Sequence, residues 1–303
     1  LSGFLTLLLF NFAMGAGGAG AHISMTTLPM AWFEERRLGR AVGVLTGGTG
    51  LGIIVTGLLL PYLLSHLGQE AWRQCWFLLA LTTFTVAIGG WIFLKEKPRE
   101  ISILSSTPDE DRKPMPPGGR GEEFTLRTIF IIYFIFGFAY NIYTTYFVAY
   151  MIEEIHIAEK TAGSLWAIFG WMCMVSGLVW GFLSDRLGRR RALFCNNGVI
   201  SLALILTLCF HQVFSLGIST FLFGFTFLGT VAIIAASIGD QVGEKRASVY
   251  GLVTLVHGIG QFLGTTLGGT LRDLTGSFLL TLLASLVGFL FCLTLAAFSK
   301  RKG

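Results

Sequence analysis

The stretch 181–191 reads GFLSDRLGRRR and carries the strongest structural signal in the chain. It holds four arginines and one carboxylate in a short connection between two apolar stretches, 161–183 and 192–210. An apolar stretch of about 20 residues is long enough to cross a bilayer as a helix. The sequence therefore predicts a tight, charged loop at a membrane surface, with a transmembrane helix on either side.

The composition extends this interpretation to the whole chain. Of the 303 residues, 53% are apolar and only 13% are charged, and the mean hydropathy is +0.70. A soluble domain carries about 25% charged residues, so a soluble globular enzyme is excluded. The five cysteines lie in or at the ends of apolar stretches without metal-ligand spacing. We therefore expect apolar fillers, with no metal and no cofactor.

Nine stretches are apolar and long enough to span a bilayer. A backbone in lipid must satisfy its own hydrogen bonds, and these runs lack the alternation of barrel strands, so each is predicted to be a helix. The predicted fold class is an all-α polytopic membrane protein. The nine predicted spans are 4–32, 41–65, 72–94, 124–152, 161–183, 192–210, 213–239, 248–271 and 277–298.

The basic residues predict the orientation of these spans. All but three of the 22 lysines and arginines fall on one side, the exceptions being Arg73, Lys160 and Arg272. The excess of basic residues marks the cytoplasmic side, so the C-terminus is expected in the cytoplasm. The net charge of +5 is then a signal of topology, and we expect no nucleic-acid partner.

An internal repeat predicts how the helices are grouped. The segment GVLTGGTGLG at 43–52 shares Gly, Thr, Gly and Gly at matching places with GLVTLVHGIG at 251–260, 208 positions later. Parallel repeats of six spans build one large class of secondary carriers. The repeat predicts three helices of an N-terminal bundle in 1–94, a cytoplasmic linker in 95–123 and a six-helix bundle in 124–303. The first bundle would lack about three helices; a chance match between glycine-rich helices is the alternative.

The loop at 181–191 resembles a signature of the major facilitator superfamily, found between its eighth and ninth helices. The resemblance implies pseudo-twofold helical bundles, with this chain covering spans 4 to 12 of a twelve-helix carrier. A second likeness, in GDQVG at 239–243 and the 251–261 segment, is to an uncharacterised bacterial branch of that superfamily. The residues assigned by the resemblance to a cytoplasmic gating loop are Gly181, Asp185, Arg186, Gly188, Arg189 and Arg190.

In that family such a loop acts as a latch between bundles. By pseudo-symmetry we expect Asp185 near Arg40 and Ala41, at the cytoplasmic start of the 41–65 span. A loop that only fixes topology with its four arginines is the alternative. Glycines in the repeated segments are expected to permit close helix packing. They are Gly43, Gly50, Gly52, Gly258 and Gly260.

Polar residues inside spans are the candidates for binding solute, because placing them in lipid is costly. Thr254, His257 and Gln261 share one face of their helix, together with Thr265. In the first span of the C-terminal bundle, the superfamily's seventh helix, the resemblance places Tyr140, Asn141 and Thr144 beside the central cavity. Histidine changes charge near physiological pH, so His257 is a candidate for proton coupling. A neutral histidine bonded to a neighbouring helix is the alternative.

Three classes of function compete. The first is a secondary transporter of a small organic solute by alternating access, acting as a monomer in the bacterial inner membrane with proton coupling as an option. The second is a truncated, non-transporting or sensory relative of the same fold. An intramembrane enzyme is the third, and we reject it because no nucleophile set, carboxylate pair or metal cluster lies within the spans. The absence of mid-span Lys or Arg favours a neutral, zwitterionic or amphipathic solute.

Overall fold

The computed structural model describes residues 2–32, 35–68, 71–93, 124–242 and 246–298. The predicted linker at 95–123 lies outside these residues. The described parts of the chain are almost entirely helical and form nine α-helices, which we number in chain order. They are α1 Ser2–Trp32, α2 Glu35–Leu67, α3 Trp72–Phe93, α4 Leu126–Ala149, α5 Glu159–Leu187, α6 Arg189–Cys209, α7 Val213–Val242, α8 Arg246–Thr275 and α9 Leu279–Phe298.

Local sequence explains where several helices begin and end. Thr125 precedes α4, and its hydroxyl accepts a hydrogen bond from the Thr128 N–H at 3.3 Å, which caps the helix. Gly188 separates α5 from α6 with φ at +85°, a conformation that glycine adopts without strain. After α4, a π-helical turn at Tyr150–Glu154 continues the rod by one widened turn.

Eight of the described helices are long and apolar enough to cross a membrane. This agrees with the all-α membrane fold expected from the sequence. The exception is α8, which corresponds to the predicted span 248–271. Its 30 residues extend about 45 Å, but glycines and polar residues such as His257 and Gln261 lower its hydropathy. It packs against α4, α9 and α7, and its role as a span stays a prediction.

The chain divides into two compact units, Leu1–Leu45 with Trp76–Arg112, and Thr46–Cys75 with Lys113–Gly303. The predicted domain boundaries placed 46–75 with the N-terminal bundle, whereas this division groups it with the C-terminal one. In the first unit, the apolar side chains of α1 from Gly3 to Ala21 are exposed. Exposed apolar rods of this length suit a surface that faces lipid.

In the second unit, the six C-terminal helices form a continuous bundle. Helix α5 packs on α7, α7 on α6, α6 on α9, α9 on α4, and α4 on α8. Fully buried aromatic rings fill the centre: Phe289 meets Phe136 and Phe223 edge to face at 6.1 and 5.9 Å between centroids. Rings in this geometry gain electrostatic as well as dispersion energy, which holds α4, α7 and α9 together.

The second half of α2 belongs to the same unit and lies against α5 through glycines. A Cβ atom on Gly50 would stand 2.5 Å from the carbonyl oxygen of Gly170, and one on Gly57 would stand 2.8 Å from that of Gly163. No real Cβ comes this close to a backbone oxygen. The two helices therefore approach backbone to backbone, as small residues permit in membranes.

Candidate functional site

The polar residues predicted on α4 and α8 meet where these two helices pack together. His257 is 7% exposed, and its Nδ1 lies 2.9 Å from the backbone carbonyl oxygen of Tyr133. Since a carbonyl only accepts, Nδ1 carries the proton and Nε2 keeps its lone pair. The imidazole also stacks on the Tyr133 ring, with centroids 4.1 Å apart and the planes 14° from parallel. The side chain is thus held in one orientation and one tautomer.

Gln261 stands one turn further along α8 and joins His257 to α4. Its side-chain N–H donates to the Tyr140 hydroxyl, and the same nitrogen lies 3.4 Å from His257 Nε2. The Tyr140 ring lies 5.4 Å from the imidazole centroid and nearly parallel to it. Three predicted residues therefore form one aromatic and hydrogen-bonded cluster.

Asn141 makes a second connection between the two helices. Its side-chain nitrogen donates to Thr265 Oγ1 at 2.5 Å and to the backbone oxygen of Gln261 at 3.2 Å. One turn further, the Tyr146 hydroxyl donates to the Thr265 backbone oxygen at 2.7 Å. Side chains of α4 therefore bond the backbone of α8 at successive turns, and His257 bonds the backbone of α4 in return.

Glycines make this approach possible, and one of them, Gly137, was not predicted from the sequence. A Cβ atom on Gly137 would stand 2.7 Å from His257 Nδ1, so Gly137 leaves the space that the imidazole occupies. On α8, Gly260 and Gly264 meet the backbone of Phe134 and Phe138 closer than any side chain allows. The sequence did contain an indication of the role of Gly137, since it lies one turn before Tyr140 and Asn141 on the same face of α4.

Two other predicted residues, Thr144 and Thr254, bond the backbone of their own helices. The Thr144 hydroxyl donates to the Tyr140 backbone oxygen at 3.1 Å, and the Thr254 hydroxyl donates to the Tyr250 backbone oxygen at 2.8 Å. Each hydroxyl is bonded within its own helix, as is common for threonine in apolar surroundings. Their role as solute ligands stays a prediction.

The cluster has hydrogen-bonding capacity left and carries no fixed charge. Tyr140 accepts from Gln261, so its own O–H remains able to donate, and the Gln261 side-chain oxygen has no partner among the described residues. No Asp, Glu, Lys or Arg occurs between residues 128 and 149 of α4 or between 247 and 271 of α8. The arrangement can therefore both donate to and accept from an uncharged group.

The charged segment 181–191 was predicted to be a loop, but the structure forms it from the end of α5, Gly188 and the start of α6. It carries a second cluster, at the other end of the bundle from the π-helical turn. Arg189 donates to Asp185 at 2.5 Å, to the buried Ser184 hydroxyl at 2.6 Å and to Asp240 of α7 at 2.8 Å. Asp240 is a partner that the loop sequence did not reveal, because it lies 51 positions further along the chain. Charge-assisted hydrogen bonds of this kind fix the ends of α5, α6 and α7 relative to one another.

The other residues of the loop have separate contacts. Arg190 donates to the backbone oxygens of Ala296 and Ala297, at the C-terminal end of α9. Arg186 lies over the Phe182 ring at 4.2 Å, and Gly181 has no described heavy atom within 4 Å of a Cβ position. The expected approach of Asp185 to Arg40 and Ala41 involves side chains outside the described part of the structure.

The five glycines that the sequence predicts to permit close packing differ in their surroundings. Gly50 meets α5 and Gly260 meets α4, both at backbone distance. A Cβ at Gly52 or Gly258 would find no described heavy atom within 4 Å. The surroundings of Gly43 lie outside the described side chains, and its packing role stays a prediction.

A comparison with protein families decides what kind of protein this arrangement belongs to. A family model described as "Uncharacterised MFS-type transporter YbfB" matches residues 1–297. The chain belongs to this family of MFS-type transporters. The resemblance to the major facilitator superfamily seen in the loop is thereby confirmed, and with it the expectation of a transporter rather than an enzyme.

The individual MFS-type transporters that this chain resembles are 24–26% identical to it. The chain is 25% identical over 308 residues to a hexuronate transporter of Bacillus subtilis (strain 168), covering 91% of this chain and 68% of the relative. It is 24% identical over 289 residues to an uncharacterized MFS-type transporter, YcxA, of the same organism, covering 90% and 67%. A probable nitrate/nitrite antiporter, NarK1 of Thermus thermophilus, is 26% identical over 213 residues, covering 65% and 44%.

For an MFS-type transporter, several apolar helices imply a multi-pass membrane protein whose surroundings are a lipid bilayer. Among the described residues, no group of three His, Cys, Asp or Glu is placed to hold a metal ion.

Proposed function

We propose that this MFS-type transporter moves a small neutral or zwitterionic organic solute by alternating access, and that Tyr140, Gln261 and His257 form part of its binding wall. The observation that carries the proposal is the open hydrogen-bonding capacity of this cluster in a segment without fixed charge. Tyr140 and Gln261 are half-buried, and the Tyr140 O–H and the Gln261 side-chain oxygen can each form a further hydrogen bond, which favours a polar ligand at this place.

The relatives inform the choice of solute. Two of them are named for hexuronate and for nitrate or nitrite, which are anions. The mid-helix segments of α4 and α8 offer no cation to such a group, and an unpaired charge in this position would be strongly disfavoured. We therefore expect the wall to contact hydroxyl or amide groups of the solute and an apolar ring or chain stacked near Tyr140.

Proton coupling is part of the same proposal. His257 is fixed with its proton on Nδ1, so its Nε2 is the atom able to take up a second proton. A charge on the imidazole would face Gln261 and Tyr140, which are the residues that we expect to touch solute. Solute binding and protonation would then influence each other through direct contact.

The membrane setting completes the proposal. We assign the transporter to the bacterial inner membrane as a monomer, with the loop at 181–191 and the C-terminus on the cytoplasmic side. The excess of basic residues on that side supports this orientation. The close contact between α2 and α5 consists of backbone and apolar atoms, and the lack of directional bonds in such a contact supports alternating access.

Uptake into proteoliposomes tests the proposal. The purified protein is reconstituted, and initial uptake rates are measured for hexoses, amino acids, hexuronates, nitrate and di- and tricarboxylates. We expect a neutral or zwitterionic solute to be preferred, and Gln261→Ala or Tyr140→Phe to raise its KM about three- to tenfold, the effect of one lost hydrogen bond. Thr266→Ala is the matched control on α8, since the Thr266 side chain is exposed and its hydroxyl is bonded within its own helix.

Two outcomes would contradict the proposal. A clear preference for hexuronate, nitrate or a multiply charged anion would show that the wall is not built for uncharged groups. For the proton, uptake is repeated with and without a pH gradient: His257→Ala is expected to reduce the stimulation by the gradient more than Thr265→Ala does. Equal, negligible effects of both substitutions would remove His257 from the coupling.

A further inference from the structure

An open cavity lies at the end of the bundle opposite the 181–191 segment. It has a volume of about 490 Å³, which falls within the range of small-molecule pockets. The last turns of α4, the π-helical turn, the last turns of α8 and the start of α9 form its walls. The lining residues that matter for binding are Tyr146, Glu153, Arg272, Asp273 and Phe278.

This cavity holds both signs of charge, unlike the cluster around His257. Arg272 donates one hydrogen bond to Glu153 at 3.2 Å, and its guanidinium lies over the Phe278 ring at 4.6 Å. A guanidinium has five N–H donors in a planar fork, so most of its donors remain open. The Arg272 side chain is 30% exposed, which leaves these donors accessible from the cavity.

Asp273 supplies the opposite charge. Its side chain is exposed, and it lines the same cavity as Tyr146. Among the described residues it accepts no hydrogen bond and forms no ion pair. Because Arg272 and Asp273 are consecutive on one helix, an open cation and an open anion are held on the same rigid element.

We propose that this cavity binds a zwitterion, with the carboxylate of the ligand on Arg272 and its ammonium group on Asp273 and Glu153. A simple anion would be attracted by one guanidinium and repelled by two carboxylates, and a simple cation would leave the open donors of Arg272 without a partner. Only a molecule with both charges satisfies both sides. The rings of Tyr146 and Phe278 provide apolar surface for the rest of the ligand.

The site is separate from the proposed solute wall. The hydroxyl of Tyr146 bonds the backbone of Thr265, which also bonds Asn141, so the cavity opens just beyond the polar contacts of α4 and α8. A zwitterion bound here would lie above the His257 cluster, on the side that the basic residues predict to be outside the cell. Binding at this cavity requires neither transport nor proton coupling.

Equilibrium binding to the purified full chain in lipid nanodiscs tests the proposal by calorimetry. The probes are two matched sets at neutral pH: phenylalanine with phenethylamine and 3-phenylpropionate, and alanine with ethylamine and propionate. Within each set the zwitterion differs from its analogues only by one charged group. We expect at least one zwitterion to bind roughly tenfold or more tightly than both of its analogues, the effect of one charge-assisted contact.

Substitutions locate the binding. Arg272→Gln and Asp273→Asn are expected to reduce zwitterion affinity to that of the corresponding analogue, and Arg272→Lys to restore part of it. Lys160→Gln is the matched control, since Lys160 is exposed at the same end of the bundle and outside the cavity. Thermal unfolding of each variant checks folding, which an exposed ion pair affects little.

Three results would overturn the proposal: no binding of either zwitterion, equal binding of zwitterion and singly charged analogue, or binding that survives both Arg272→Gln and Asp273→Asn. Zwitterion binding that is lost in Gln261→Ala and retained in Arg272→Gln would assign the ligand to the His257 cluster instead. The uptake measurements on reconstituted protein are independent of all these outcomes, so failure here leaves the proposed transport function standing.

Discussion

Two helix pairs in the C-terminal unit approach each other through glycines, and they differ in what surrounds the glycines. In the α2–α5 pair, Gly50 and Gly57 meet Gly170 and Gly163. Among the described side chains, no hydrogen bond crosses between residues 47–61 of α2 and 163–174 of α5. The contact consists of backbone and apolar atoms.

In the α4–α8 pair, glycines again bring the backbones together, but polar side chains then bond across. Asn141 and Tyr146 donate to the backbone of α8, and His257 bonds the backbone of α4. Each bond has a fixed direction and length, so a shift along the helix axis would break several at once. Glycine spacing therefore permits two helices to come close, and the polar residues decide whether one helix can shift along the other.

The two glycine-rich helices also differ at matched positions of the internal repeat. Gly50 is in contact and Gly52 is open on α2, whereas on α8 the matching Gly258 is open and Gly260 is in contact. Two helices with similar glycine patterns thus present different faces to their described neighbours. The pattern predicts that close packing occurs and leaves its partner undetermined.

The largest effect is expected from a substitution that fills the close contact between α2 and α5. Gly50→Ala places a Cβ 2.5 Å from the Gly170 oxygen and 2.9 Å from the Met174 backbone nitrogen, and backbone atoms cannot move aside without separating the helices. We expect the free energy of unfolding to fall by about 1–3 kcal/mol and uptake to fall with it. Denaturant titration in mild detergent, followed by tryptophan fluorescence, measures the first quantity.

Gly48→Ala on the same helix is the control, because the structure describes no atom within 4 Å of its Cβ position. Alanine is a better helix former than glycine, so this variant is expected to gain about 0.5–1 kcal/mol. Equal behaviour of the two variants would show that α2 and α5 are not in backbone contact.

An intermediate effect is expected from removing the polar connection of the other pair. Asn141→Ala deletes the bonds to Thr265 and to the Gln261 backbone oxygen. Interhelical hydrogen bonds in membranes contribute about 0.6 kcal/mol on average and about 1.7 kcal/mol at most, so we expect a loss near 1 kcal/mol in the same titration. Thr144→Val serves as comparison, since the Thr144 hydroxyl is bonded within α4. A loss as large for Thr144→Val would refute the interhelical role of Asn141.

The smallest effect is expected from Thr56→Ala on α2. The Thr56 hydroxyl donates to the backbone oxygens of Gly52 and Ile53 in its own helix and adds nothing to the contact with α5. A change within about 0.5 kcal/mol is expected, as for substitutions away from special contacts. A loss comparable to that of Asn141→Ala would mean that the α2–α5 contact is also held by polar bonds.

The sequence predicted the helices closely because apolar length and charged interruptions are local properties. The span predicted at 213–239 is α7 Val213–Val242, and that at 72–94 is α3 Trp72–Phe93. The π-helical turn at Tyr150–Glu154 was not predicted, because hydropathy is insensitive to a widened turn. Its effect is to place Glu153 near Arg272 and Glu154 at the start of α9.

Residue pairing across helices was harder to predict. Helical spacing put His257, Gln261 and Thr265 on one face, and the structure brings them to α4. The same spacing included Thr254, whose hydroxyl is satisfied within its own helix. The helical period of the sequence identifies which residues share a face, but it does not determine which neighbouring helix that face meets. For this reason neither the role of Gly137 nor the hydrogen bond from Arg189 to Asp240 was predicted.

The sequence by itself determined that this protein is a helical membrane protein of the MFS type, because hydropathy, charge bias and the 181–191 motif are each written in consecutive residues. Tertiary structure decided which glycines touch, which polar residues bond and where the charged cavity opens. These depend on how helices are rotated and paired, through distances of a few ångströms between residues more than 100 positions apart. Packing selects among such arrangements, and no local pattern encodes that selection.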